Sequence, residues 1–128
     1  MRNLDKQIDM LKCYAERIAP FNWSIDFLQL EPWNWAHLAK LIPSLPVDVV
    51  VDNQALLKSS IMLPADMTVA KQPGMEAILG LMSCGNFWIK ISAPYRDSES
   101  DPYYDDLREV VRLLVDANLH RVVYGSDR

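Results

Sequence analysis

The order of apolar and polar residues divides the chain into an opening helix followed by strand and helix segments in turn. Leu4, Ile8, Leu11, Ala15 and Ile18 recur at helical spacing, with Asn3 placed to cap the start and Pro20 to end the pattern. In residues 23–30 (WSIDFLQL), Ile25 and Phe27 alternate with Asp26, which predicts a strand closed off by Pro32. Trp35, Leu38 and Leu41 mark a short helix stopped by Pro43 and Pro46. Residues 47–52 (VDVVVD) form the clearest strand, its valines β-branched and nearly continuous, as a parallel strand covered on both faces requires. After a long connection over 53–73, broken by Pro64 and Pro73, residues 75–83 read as a helix with Gly85 as its stop. A connection of that length inside a compact domain is usually functional or mobile. Residues 87–92 (FWIKIS) predict a third strand, 103–117 a helix carried by Leu107, Val110, Val111 and Leu114, and 121–124 (RVVY) a last strand.

Four strands alternating with helices argue for a parallel α/β sheet. An open doubly wound sheet and an arc of a (β/α)8 barrel both fit, and the pattern does not choose between them. Either architecture puts function at the C-terminal ends of the strands. Those ends carry Gln29, then Asp52 and Asn53, then Ser92 with Tyr95 and Arg96 beyond it, and last Gly125, Ser126 and Asp127. A carboxylate such as Asp127 at the end of a buried strand can ligate a metal or take a proton from water, or it can cap the next helix. Asp52–Asn53 is a polar pair after three valines and equally an ordinary turn signal. Arg96 can clamp an anionic group in two-pronged fashion, or pair with Asp97 or Glu99 in a solvated loop. Lys90 shares a strand face with Ser92, pointing either into a barrel or towards the helices. His37 and His120 fall away from the strand ends, and no HxH, HExxH or Cys/His cluster occurs, so spacing alone gives no support for a metal site.

Length and composition narrow the picture further. A chain of 128 residues, half of them apolar and 23% charged, suits one domain over 1–128 with a sizeable core. A net charge of -4 with scattered basic residues excludes the footprint of a nucleic-acid binder. Cys13 and Cys84 have no CxxC spacing and read as reduced, structural thiols. No signal-type block and no run of about 20 apolar residues occurs, so a soluble, cytoplasmic protein without membrane partners is expected. No Gly-rich phosphate loop follows any strand.

The stretches VVVDN, FWIKISAPYRDS, PYYDDLREVVRLLVDA and RVVYGSD together resemble the amidohydrolase-related (type 2) family of metal-dependent hydrolases, which includes 2-pyrone-4,6-dicarboxylate lactonase and fungal members. The resemblance covers most of the chain, more loosely over the opening helix and first strand. It implies a (β/α)8 TIM barrel of which this chain is the C-terminal half, strands five to eight. It also implies hydrolysis by water attack on a lactone, ester or amide carbonyl of a small, carboxylated substrate. In that setting Asp127, in the GSD motif, is the catalytic general base and, if a metal is bound, its ligand. Arg96 meets a substrate carboxylate, with Tyr95 and Asn53 beside it. Some members of the family use zinc and others none, and decarboxylases occur in the same superfamily.

Departures from the family pattern shape the remaining expectations. Strands one to four and their HxH are absent, Asn53 stands where the family has a histidine, and Gln29 ends strand five where metal-dependent members often have one. Arg128 follows GSD where the family continues into Trp-Pro-His. Four strands cannot close a ring of eight, so the outer strands are left with unpaired edges. The expectation is therefore a truncated chain beginning at an arbitrary point. Its alternatives are a non-catalytic remnant or association module, and a homo-oligomer formed through exposed sheet edges.

Overall fold

The computed structural model describes residues 2–126. Helix α1 (Arg2–Ile18) leads into strand β1 (Ile25–Phe27), helix α2 (Trp35–Leu41), strand β2 (Val49–Val51), helix α3 (Met75–Leu81), strand β3 (Phe87–Ile91), helix α4 (Arg108–Asn118) and strand β4 (Val122–Tyr124). The four strands form one parallel sheet in the order β1-β2-β3-β4. Every segment expected from the sequence is present, with shorter strands. The sequence placed Asn3 as a cap, but α1 begins before it and takes it into the first turn.

Strand parity explains the core. Ile25, Phe27, Val49, Val51, Phe87, Ile89, Ile91 and Val122 lie on one face and pack with the helices. Trp35 is fully buried at the start of α2, its ring 5.7 Å from Phe27 and 6.0 Å, edge-on, from Phe87. Leu38, Met75, Ile78, Val110 and Leu114 complete this layer. The opposite face carries Asp26, Val50, Trp88, Lys90 and Val123, all exposed or half-buried. The run of valines suggested a β2 covered on both faces; Val50 corrects this, because only one side of the sheet has helices against it.

Two loop expectations also change. The connection after β2 is held in place: Leu57, Val69 and Gln72 are buried. The Gln72 amide accepts from Lys58 N at 2.7 Å and donates to the carbonyls of Lys58 and Val69. The helix predicted over 103–117 starts later, at Arg108, because Tyr104 adopts a left-handed φ of 52° and a tight turn over Asp105–Leu107 intervenes. Both cysteines are free; Cys13 sits on the exposed side of α1, so it has no packing role.

Candidate functional site

At the C-terminal end of β2 the backbone enters a conformation the sequence did not suggest. Asn53, Gln54, Ala55 and Leu56 all have positive φ, at 55°, 42°, 57° and 55°. For residues other than glycine the left-handed region costs about 1–2 kcal/mol each, so this turn needs support from its surroundings. Side chains from β3 and its following loop supply it. Ser92 N donates to Gln54 Oε1 at 3.1 Å, and Gln54 Nε2 donates to Asp97 Oδ2 at 2.8 Å. Asn53 N donates to Ser92 Oγ at 3.1 Å, and Ser92 Oγ donates in turn to Asn53 Oδ1 at 2.8 Å. Asn53, Gln54, Ser92 and Asp97 are all buried.

Asp97 anchors this network. Its carboxylate is fully buried, and Lys58 Nζ donates to Oδ1 at 2.7 Å. Burial pushes the Asp97 carboxyl above the usual range, against the opposing hydrogen bonds from Lys58 and Gln54. Its backbone carbonyl accepts from Ser59 N at 3.1 Å, so both sides of the residue tie the β3 loop to the β2 loop. Arg96, next in the chain, lies exposed in the turn Pro94–Arg96 with its guanidinium 5.9 Å from the Tyr95 ring centroid. Tyr95 is also exposed. The structure therefore brings Asn53, Tyr95 and Arg96 to the same end of the sheet. It commits the Asn53 side-chain oxygen to Ser92 and the buried acid of the loop to Lys58.

A second cluster lies on the open face. Lys90 Nζ is 2.9 Å from Asp26 Oδ2 and 2.9 Å from Asp52 Oδ1. Hydrogen bonding to Asp52, then to Asp26, raises the Lys90 pKa. The sheet wall strips water from the Asp26 carboxylate and raises its pKa; Asp52 adds to the rise and Lys90 opposes it. Lys90 thus lines the open face, which resolves the choice its strand position had left. Further down, Trp88 donates to Asp48 Oδ2 at 3.1 Å and lies under the Arg121 guanidinium at 4.6 Å. Replacing Lys90 with methionine is expected to move the Asp26 titration upward, because two facing carboxylates would lose their shared cation. Carboxyl-carbon NMR across a pH titration checks this, and an unmoved Asp26 would rule out the triad.

β4 brings the chain back to this cluster. Gly125 N donates to Ile91 O at 3.0 Å, keeping the ladder intact beyond Tyr124. A Cβ at Gly125 would stand 2.7 Å from Lys90 Cδ, so a side chain here would push Lys90 from its present path. Asp127, the residue expected to act as base, lies outside the described residues.

A family model described as amidohydrolase matches residues 4–128. The chain belongs to the amidohydrolase family. Over 56 residues, 44% of its length, it is 34% identical to the 4-sulfomuconolactone hydrolase of Hydrogenophaga intermedia, covering 18% of that protein. Its fold is similar to that of a probable 2-pyrone-4,6-dicarboxylic acid hydrolase from Acinetobacter baumannii with citric acid bound, at a TM-score of 0.69 and 21% identity. That likeness covers 89% of this chain and 40% of the other. An amidohydrolase from Burkholderia multivorans with bound zinc has a TM-score of 0.63 at 17% identity, over 88% of this chain and 40% of its own. The chain thus spans about 40% of the length of these solved structures, and its four parallel strands with their helices form part of a TIM barrel.

This amidohydrolase segment does not offer a zinc ligand set among its described residues. No group of three His, Cys, Asp or Glu side chains converges there. The described strand ends present amides, a hydroxyl and an ammonium, with the carboxylates of Asp52 and Asp97 each claimed by a lysine, and no imidazole or thiolate joins them as zinc sites require. Gln29, at the first strand end, is a structural clasp: its Nε2 donates to Gln7 Oε1 at 2.7 Å and its Oε1 accepts from Glu31 N at 3.0 Å. No helix among the described residues is long and apolar enough to cross a membrane.

The sequence pointed to Asn53, Tyr95 and Arg96, passed over Gln54 and Lys58, and offered Asp97 only as a solvated partner for Arg96, whereas its carboxylate is buried and paired with Lys58. Its one available hint was a lysine and an acid in two loops that leave neighbouring parallel strands, and nothing in their spacing said that the acid would be buried.

Proposed function

We propose that this segment forms one wall of a lactone-hydrolase site, with a small carboxylated lactone as substrate. The observation that carries the reading is the convergence of Asn53, Ser92, Tyr95 and Arg96 at one end of a barrel segment that belongs to the amidohydrolase family. The lactone-hydrolase names of the two relatives support the choice of substrate class. Asp127, three residues beyond the end of β4, is the proposed general base. It would take a proton from water as the water oxygen bonds to the lactone carbonyl carbon. Collapse of the tetrahedral adduct breaks the ring C–O bond, and the departing oxygen takes up a proton to give the open-chain hydroxy acid or its tautomer. The exposed Arg96 guanidinium suits pairing with a substrate carboxylate, and the Tyr95 ring beside it suits the flat face of an unsaturated lactone.

A non-catalytic role by association is a second reading. It is favoured by the amides at Gln29 and Asn53, both already tied into the scaffold.

The purified chain should be assayed against carboxylated cyclic lactones, with and without added zinc. Asp127→Ala is expected to cost about 10²- to 10⁴-fold in kcat, and Arg96→Ala to act mainly on KM for carboxylated substrates. Turnover unchanged in Asp127→Ala would remove the mechanism, and no turnover in the parent chain would favour the second reading.

A further inference from the structure

We propose that Lys58 is a positioning residue for Arg96: by claiming the buried Asp97 carboxylate, it leaves the Arg96 guanidinium free for a carboxylated ligand. This rests on the reading of Arg96 as the group that pairs with a substrate carboxylate. Arg96 and Asp97 are neighbours in the chain, a cation beside a buried acid that needs one. The pair that forms is a different one. Lys58 Nζ donates to Asp97 Oδ1 at 2.7 Å, while Arg96 stays exposed and enters no ion pair among the described residues. Lys58 and Arg96 lie in the loops after the two inner strands, β2 and β3, away from the sheet edges.

Lys58 is itself held in place. Gln72, buried ahead of α3, accepts from Lys58 N at 2.7 Å and donates to Lys58 O at 2.9 Å. The ammonium also reaches the Arg96 carbonyl oxygen, at 3.4 Å. The main chain around Arg96 has further ties. Arg96 N donates to Ala93 O at 3.0 Å, Asp97 N to Pro94 O at 3.1 Å, and Ser59 N to Asp97 O at 3.1 Å. Those three bonds, and the one from Gln54 to Asp97 Oδ2, do not involve the lysine ammonium. Loss of that ammonium therefore spares most of the turn. Its main effect falls on charge.

Without Lys58 the Asp97 carboxylate would keep one neutral donor, Gln54, and no cation. The second cation that acts on it is Arg96. The space held by the lysine ammonium is within reach of the Arg96 side chain, because it already adjoins the Arg96 carbonyl. A guanidinium fork fits a carboxylate with two parallel hydrogen bonds, and a fork engaged by Asp97 is lost to any other carboxylate. Lys58 thus acts on ligand binding through Arg96, by removing the competitor that stands next to it.

Proton exchange with water at Arg96 Nε–H, followed by NMR on the ligand-free 128-residue chain, tests this. Exchange is expected to be fast in the parent, about tenfold slower in Lys58→Met, where the proton is held by a charged acceptor, and fast again in Lys58→Met/Asp97→Asn, where the competing charge is gone. A merely structural role for Lys58 would loosen the turn and leave this proton as fast as before or faster. The Kd for isophthalate, a flat ring bearing two carboxylates, should follow the same order: about tenfold weaker in Lys58→Met and restored in the double variant. An unchanged rate in Lys58→Met overturns the proposal. So does slow exchange in the parent or in the double variant, neither of which leaves a buried charge unpaired. A parent that does not bind isophthalate removes the carboxylate reading of Arg96 alone, and the exchange rates then decide for or against Lys58.

Discussion

Trp35→Ala is expected to lower the unfolding free energy by about 4 kcal/mol, the range measured for deleting a fully buried large aromatic. Trp35 joins three parts of the fold: it opens α2, touches Phe27 of β1 and meets Phe87 of β3 edge-on. Its Cδ1 also lies 3.0 Å from the point where a Cβ at Gly74 would stand, so the turn before α3 is packed against the same ring. No single neighbour can move into the space that would be left. The indole N–H is buried without a hydrogen-bond partner among the described residues, which makes Trp35→Phe informative. That change keeps an aromatic ring and deletes an unsatisfied donor, so its loss should be well under half that of alanine. Urea titration followed by circular dichroism, at one chain concentration throughout, measures both. A loss below about 1 kcal/mol for alanine would mean that the three contacts do not act as one core.

The second large effect is electrostatic. Lys58→Met should cost about 3 kcal/mol at neutral pH, the low end for breaking a buried pair, because the lysine side chain keeps 38% exposure while Asp97 has none. The pH dependence follows from the raised Asp97 pKa. A carboxyl whose pKa is higher in the folded chain than the ordinary 3.8 holds its proton more tightly when folded. Its contribution to stability therefore falls as pH rises from the unfolded value through the folded one, then levels off. Removing Lys58 leaves Gln54 as the remaining side-chain donor among those described, and raises the folded pKa further. The difference between parent and variant is thus greatest above the folded pKa and shrinks as the carboxyl is protonated. Urea titrations at pH 7 and at pH 4 separate this from a packing defect, which would cost the same at both. A defect at this pair should also loosen the left-handed turn over 53–56, because Gln54 links Asp97 to Ser92.

The barrel segment was legible because its information is local. Period-2 and period-3.6 patterns mark each strand and helix, and prolines at 20, 32, 43 and 46 separate the first of them. Motif residues lie at strand ends because a parallel α/β sheet gathers its loops on one side. The boundaries were less legible, since a strand ends where its ladder partner ends: β1 stops at Phe27, level with Val51 of β2, although an alternating pattern continues to Leu30. The VDVVVD stretch misled for a related reason. A run of valines is compatible with two covered faces or one, and residues in contact through space decide which.

By itself, then, the sequence determined the order of elements, the parallel sheet, the apolar face that meets the helices and the likeness to the amidohydrolase family. Each of these follows from residue type at a given spacing along the chain. Only the tertiary structure decided that Asp97 is buried and claimed by Lys58, that Asn53 is bound to Ser92, and that Lys90 bridges Asp26 and Asp52 beside a glycine that makes room for it. Each of those contacts joins residues more than 25 positions apart. Their energy depends on burial and on distances of about 3 Å, quantities that exist only once the strands lie side by side.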